Sequence, residues 1–155
     1  ELKKLRSHYF GEGKDRFLHE KMGFNFRMSA MQAALGYAQL TRVDELIEKR
    51  RVISEYYSKE LKGVVDLPPE HAARVWWMYN IHIPNRDALL EYLKGCKIET
   101  RPYFTPLHSQ PEFEDIFNDF PAADKLSSTG LLLPMVGGAD QKYVCDKIKN
   151  FYGIQ

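Results

Sequence analysis

The sequence predicts an α+β fold: a long N-terminal helix region followed by a small sheet packed with helices. Three observations carry that expectation. From Ser29 to about Lys62, apolar residues recur at helical spacing through Met31, Leu35, Ala38, Val43, Leu46, Ile47, Ile53, Tyr57 and Leu61, which draws one stripe along a helix. After Gly63, short runs rich in β-branched and aromatic residues, Val75–Ile83 and Leu131–Leu133, alternate with helical patterns. A chain of 155 residues has the size of one domain and can bury a real core.

Glu1–Arg6 reads as the tail of a helix already under way, with no start signal and no initiating Met; the chain is expected to be a piece of something longer. Ser7 to Gly23 is irregular and polar, with Gly11 and Gly13 as breakers. Phe24-Asn25-Phe26-Arg27 then alternates aromatic and polar residues. In extended backbone that places Asn25 and Arg27 on one face and the two phenylalanines on the other. Ser29-x-x-Gln32 is a capping box and fixes the helix start at Ser29. The pattern that follows is too long for one straight helix, so a break or bend is expected near Thr41–Asp44, where either residue can cap a second segment. Glu45–Lys49 and Glu55–Lys59 make favourable pairs on the exposed side, and Gly63 sits at the usual stop position.

Val64–Leu67 leads to Pro68-Pro69 as an edge strand or extended linker. Val75–Ile83 is the strongest strand signal and is closed by Pro84. Asn85 or Asp87 caps a helix through Leu89, Leu90 and Leu93 to Gly95. Lys97–Arg101 reads as a short strand stopped by Pro102, residues 103–111 as a loop and Glu112–Phe117 as a short helical turn. A helix at Ala122–Ser127, a buried strand at Leu131–Leu133, and a terminal helix from Ala139 or Asp140 through Val144, Ile148 and Phe151 complete the pattern.

Composition narrows the function classes. Hydrophobic residues make up 44%, charged residues 28%, and the net charge is +1, as in ordinary globular proteins. The one basic cluster, Glu48-Lys49-Arg50-Arg51, lies on a helix among acidic neighbours and reads as a solvated face, so no nucleic-acid partner is expected. No apolar run reaches bilayer length and no signal-peptide pattern opens the chain, so neither membrane nor export is expected. Cys96 and Cys145 read as reduced thiols and the cytoplasm as the location. Nucleophile-elbow, Walker, dinucleotide and paired-cysteine zinc motifs are absent. The five histidines have no ligand spacing, so no metal is expected. His82 reads as a structural residue and Gly11-Glu12-Gly13-Lys14 as a flexible turn.

Two stretches carry chemistry. Asn25 and Arg27 converge beside a helix N-terminus, where free N–H groups and the dipole favour a phosphate or carboxylate; a plain strand-to-helix junction with a solvated arginine fits the same spacing. Thr100–His108 sets Arg101, Tyr103 and His108 on a loop stiffened by Pro102 and Pro106. A surface turn with an exposed histidine fits equally well.

Together these stretches resemble a known family. Gly23–Leu40 resembles the Gly-Tyr-Asn-Tyr-Arg-Met segment, with its following Gln-Ala-Ala and Gln-Leu, of the DegT/StrS-type sugar aminotransferases. Leu5-Arg6-Ser7-His8, the Arg101–His108 loop and Leu131-x-Leu133-Pro134 match later and earlier family segments in the same order. The resemblance implies pyridoxal-phosphate enzymes of fold type I that aminate nucleotide-linked keto-sugars with glutamate or glutamine as donor. It implies a remnant and loop of the cofactor domain over 1–28, a long connecting helix, open to a bend, over 29–62, and the C-terminal small domain over 63–155.

By the same resemblance Asn25 corresponds to the asparagine that crosses a homodimer interface to the cofactor phosphate of the neighbouring subunit. Arg27 corresponds to the arginine that receives the donor carboxylate or an acidic group of the substrate. His108 and Tyr103 correspond to residues facing the substrate. The family's cofactor-bonding lysine lies upstream of the Leu-Arg-x-His segment, so it is expected in a missing N-terminal cofactor half, and Lys3, Lys4 and Lys14 do not replace it. No catalytic residue is therefore assigned to the chain, which is expected to be inactive alone, as a truncated piece or one half of a split gene. The alternative is a catalytically silent oligomerisation or binding module derived from the same family.

Overall fold

The computed structural model describes residues 1–71, 73–113, 119–135 and 138–154. The chain divides into two compact units, Glu1–Val43 and Asp44–Gln155.

In the first unit α1 (Leu2–Arg6) is followed by an irregular loop that returns as an extended segment. That segment pairs with the end of α1: Phe24 N donates to Leu5 O (2.7 Å), Phe26 N to Arg6 O (2.9 Å), and His8 N to Phe24 O (2.9 Å). The loop between is cinched by a bridge between Phe10 and His19 and by a 3-10 turn at Gly13–Asp15. Helix α2 (Ala30–Leu40) starts at the expected capping box: Ser29 N donates to Gln32 Oε1 (2.9 Å) and Gln32 N to Ser29 Oγ (3.3 Å). Its apolar stripe is helical, yet no α2 residue is buried; Met31 is 85% and Leu35 66% exposed. The helical run is interrupted at Thr41 and Arg42 before α3 (Val43–Glu60) begins. Thr41 closes α2, its hydroxyl donating back to Ala38 O (2.9 Å), while Asp44 and Glu45 in the first turn of α3 complement the dipole of that helix.

The second unit is built on a three-stranded antiparallel sheet of order β1-β3-β2. β3 (Gly130–Leu133) lies centrally, with β1 (Tyr79–His82) and β2 (Arg101–Pro102) at its sides. Tyr79 faces Leu133, His82 faces Gly130 and Arg101 faces Leu132. Helices α3, α4 (Arg86–Gly95) and α6 (Gln141–Phe151) contribute Tyr57, Leu89, Leu93, Val144, Cys145 and Ile148 to one core, with Tyr79, Ile81, Leu131 and Leu133 from the sheet. The period of two along β1 puts Tyr79 and Ile81 in the core and leaves Asn80 and His82 half-buried. The buried tyrosine hydroxyls are satisfied: Tyr57 donates to Pro134 O (2.9 Å) and Tyr79 pairs with Ser58 Oγ (2.8 Å). Lys149 Nζ and Glu60 Oε2, 2.7 Å apart, tie α6 to α3. Asp140 caps α6 through Tyr143 N (3.0 Å).

Several local expectations are corrected. β1 omits Val75–Met78, where the Arg50 guanidinium takes the carbonyls of Trp77 (2.7 Å) and Trp76 (3.3 Å). The expected strand at Lys97–Arg101 shrinks to Arg101–Pro102, because Lys97 adopts a left-handed φ of 60° that extended pairing does not admit. Asn85 occupies the N-cap of α4 without a side-chain bond. Glu55 pairs with Arg51 rather than Lys59, while Glu45–Lys49 forms as expected. The helix expected at Ala122–Ser127 is longer, α5 (Pro121–Thr129), because Pro121 at its first position suits a helix start. The turn expected at Glu112–Phe117 is a 3-10 turn over Pro111–Phe113, and its remainder lies outside the described residues.

Candidate cofactor and substrate site

The residues singled out in the sequence fall into two clusters, one in each unit. In the first, the bridge between Ser7 and Asn25 sets the register of the extended segment. Phe24 and Phe26 stack on one face, ring centroids 5.1 Å apart and 12° from parallel. On the other, Arg27 Nε donates to the buried Ser7 Oγ at 3.1 Å. The Asn25 side chain is exposed and has no hydrogen-bond partner among the described residues. At the start of α2 the capping box already engages Gln32 N, so the N–H groups of Ala30 and Met31 are those left for any outside acceptor. Arg27 reaches back toward α1, where Lys3, Lys4 and Arg6 line the same pocket. No motif marks these cations; the available signal is the pair Lys3 and Arg6, three apart on one short helical turn.

In the second unit Tyr103 and His108 sit on the loop that leaves β2. Tyr103 N donates to Gly130 O (3.0 Å), and its ring centroid lies 6.2 Å from that of His82. Gly130 makes this approach possible, since an added Cβ there would stand 2.6 Å from Tyr103 Cβ and 2.5 Å from Leu126 O. Phe104 packs on Tyr103 (5.7 Å) and Trp77 (6.2 Å). His108 Nε2 meets Asp124 Oδ1 of α5 at 2.8 Å, and its ring lies 5.2 Å from Phe120. The His108 side chain is only 17% exposed, so it fastens the loop to α5 while keeping one ring orientation. Arg101 is exposed and lines an open pocket of about 630 Å³ with Arg50, Lys97 and Tyr143.

His82 is a structural residue. The Thr129 hydroxyl donates to Lys125 O (2.7 Å), so it accepts from His82 Nδ1 (3.2 Å) while Nε2 accepts from Asn80 Nδ2 (2.9 Å). Burial pushes the imidazole below its ordinary value, and the ring is neutral at pH 7. Burial likewise pushes the Cys145 thiol up to about 12. Among the described residues no group of three or more His, Cys, Asp or Glu side chains is placed to hold a metal ion, and no helix is long and apolar enough to cross a membrane.

Comparison with known proteins places these clusters in context. Residues 1–149 match the DegT/DnrJ/EryC1/StrS aminotransferase family. The chain is 31% identical over 156 aligned residues to the GDP-perosamine synthase of Escherichia coli O157:H7, covering 94% of this chain and 43% of that protein. It is 35% identical to the GDP-perosamine synthase of Vibrio cholerae, covering 88% of this chain and 41% of that protein. Among solved structures, a DegT DnrJ EryC1 StrS aminotransferase from Brucella abortus superimposes with a TM-score of 0.87 at 30% identity, over 98% of this chain and 43% of that one. The chain thus spans about two fifths of the length of the relatives it matches.

Proposed function

This chain belongs to the DegT/DnrJ/EryC1/StrS aminotransferase family, and from that premise we propose that it is the C-terminal portion of a pyridoxal-phosphate-dependent sugar aminotransferase. The complete enzyme moves an amino group from glutamate or glutamine to a nucleotide-linked keto-sugar. The observation that carries this reading is the family match over residues 1–149 together with the exposed, unpartnered Asn25 amide on the extended segment before α2. An amide donor held on bridged backbone suits a phosphate oxygen.

When bound, pyridoxal phosphate supplies the carbon that carries the amino group between donor and acceptor. The residues of this chain bind and orient around it. Asn25 donates to the phosphate across a homodimer interface. Arg27, held at one nitrogen by Ser7, offers its remaining N–H groups to a carboxylate. Tyr103 and His108, the latter oriented by Asp124, face the sugar. No residue here takes the place of the bonding lysine, so the chain alone is inactive. The bare stripe of α2 suits the dimer contact and the N-terminal cofactor half that complete the site, and the location is the cytoplasm.

The test is reconstitution. The chain is mixed with pyridoxal phosphate, an amino donor and a keto-sugar nucleotide, with and without a lysine-bearing first half, and transamination is followed. Activity on mixing only is the expected result, with Asn25→Ala weakening cofactor retention about tenfold through one lost charge-assisted bond. A well-folded self-oligomer that never reconstitutes would sink the enzymatic reading in favour of a silent module.

A further inference from the structure

Tyr103 is pinned in backbone by its N–H bond to Gly130 O (3.0 Å), so any response of this residue lies in its side chain. The half-buried ring has two ring neighbours. Phe104 lies 5.7 Å away, edge-on, and His82 of β1 lies 6.2 Å away, tilted by 59°. The first is inert; the second can change charge near neutral pH.

Both imidazole nitrogens of His82 are committed. Nδ1–H donates to Thr129 Oγ1 (3.2 Å), whose own proton goes to Lys125 O (2.7 Å), and Nε2 accepts from Asn80 Nδ2 (2.9 Å). The His82 backbone is held as well, its N–H donating to Asp66 O (2.9 Å) and its carbonyl accepting from Asp66 N (3.2 Å). This set of partners fits only the neutral ring. A second proton, on Nε2, confronts the Asn80 amide donor, so the amide has to turn. It also sets a positive imidazolium about 6 Å from a phenol ring, the range of cation–π attraction.

The surroundings decide when that proton arrives. Burial, the largest cause, lowers the imidazole, Asp66 raises it and Lys125 of α5 lowers it; the balance lies below the ordinary value of 6.5. The other side chains against the ring, Asn80, Thr129 and Tyr103, carry no charge at neutral pH.

We propose that His82 is a positioning residue for Tyr103: neutral, it leaves the ring turned outward, and protonated, it draws the ring toward β1. Resting on the functional reading above, the outward ring is the one that meets the sugar, so acidification weakens sugar binding through a residue that touches no substrate.

The experiment uses the chain itself, without cofactor or first half. His82 ring signals and the three-bond couplings that report Tyr103 χ1 are followed by nuclear magnetic resonance from about pH 8 to about pH 5. The Tyr103 rotamer is expected to change with the same midpoint as the His82 imidazole. Lys125→Gln moves both midpoints up and Asp66→Asn moves both down, without altering either ring. His82→Gln, which does not titrate, abolishes the Tyr103 response. Circular dichroism checks that every variant folds.

A Tyr103 midpoint that stays with that of His82 in each charge variant upholds the proposal. A Tyr103 rotamer that is constant while His82 titrates, or a response that survives in His82→Gln, overturns it and leaves His82 as packing alone. In the reconstituted enzyme, KM for the keto-sugar nucleotide should rise as pH falls through the same midpoint with kcat little changed, and Lys125→Gln should move that rise to higher pH. Coupled titration with failed reconstitution overturns the aminotransferase reading and leaves the His82–Tyr103 coupling standing. An active mixture with a constant Tyr103 rotamer overturns the coupling alone.

Discussion

The two compact units differ in where their apolar residues go. Among the described residues, every buried apolar residue except Tyr9 lies in the unit from Asp44 onward, where helices and sheet close on one core. The unit from Glu1 to Val43 has a helix capped at the expected residue and spaced like a buried one, yet Met31, Leu35, Tyr37 and Leu40 stay exposed. This bare apolar helix is the feature on which the proposed contact with another chain rests. The second unit is stabilised by its own packing, whereas the first leaves the apolar face of α2 exposed.

The largest expected effects break this contrast directly. Leu131→Ala removes a fully buried side chain of the central strand and should cost about 2–5 kcal/mol of unfolding free energy in urea titrations. Leu35→Ala, at the middle of α2, should stay within about 0.5 kcal/mol in the same assay, while impairing assembly with the lysine-bearing half. Comparable losses from both substitutions would mean that α2 is part of the same folding core. Gly130→Ala comes next. Its Cβ has no room against Tyr103 and Leu126 O, so it should cost about 1–3 kcal/mol and shift the Tyr103 ring signals relative to those of His82.

Ser29→Ala sharpens the contrast at smaller scale. Losing the capping box should cost about 1 kcal/mol, seen as faster amide exchange over Ala30–Leu40 with no change in α4 or α6. The smallest effect concerns pH. The Lys149 ammonium beside Glu60 holds that carboxyl below its ordinary value. A carboxyl lowered in the folded state adds stability that is complete above the unfolded value near 4.5 and is lost as pH falls through the folded one. The urea midpoint of the native chain should therefore drop as pH falls below about 4.5, and Glu60→Gln should flatten part of that drop. An unchanged pH profile in the variant would show that the pair is not the cause.

Local structure is legible in the sequence where the backbone itself sets the outcome. The Ser29–Gln32 box, the Asp140 cap and the Leu131–Leu133 strand all appear in the structure. The Phe24–Arg27 alternation also produces the two faces it implies. Element length is less legible, because contacts distant in sequence bear on it: Arg50 takes the Trp76 and Trp77 carbonyls just before β1 begins. The left-handed Lys97 has no signal in its residue type. For the site, the motif led to Asn25 and Arg27, but Lys3, Lys4, Arg6 and Arg16 come together only when the extended segment folds back along α1. No spacing in the chain encodes that return. Covering of α2 is equally invisible, since a helical apolar stripe reads the same whether its cover lies in the same chain or in another.

The most direct measurement is amide hydrogen exchange of α2 in the chain alone and after addition of the lysine-bearing first half with pyridoxal phosphate. Rapid exchange over Ala30–Leu40 in the isolated chain, slowed strongly in the mixture while α4, α6 and the sheet stay protected throughout, is the result predicted. Protection of α2 already present in the monomeric chain, or exchange that the first half leaves unchanged, would contradict the view that this unit exists to complete a site with another chain.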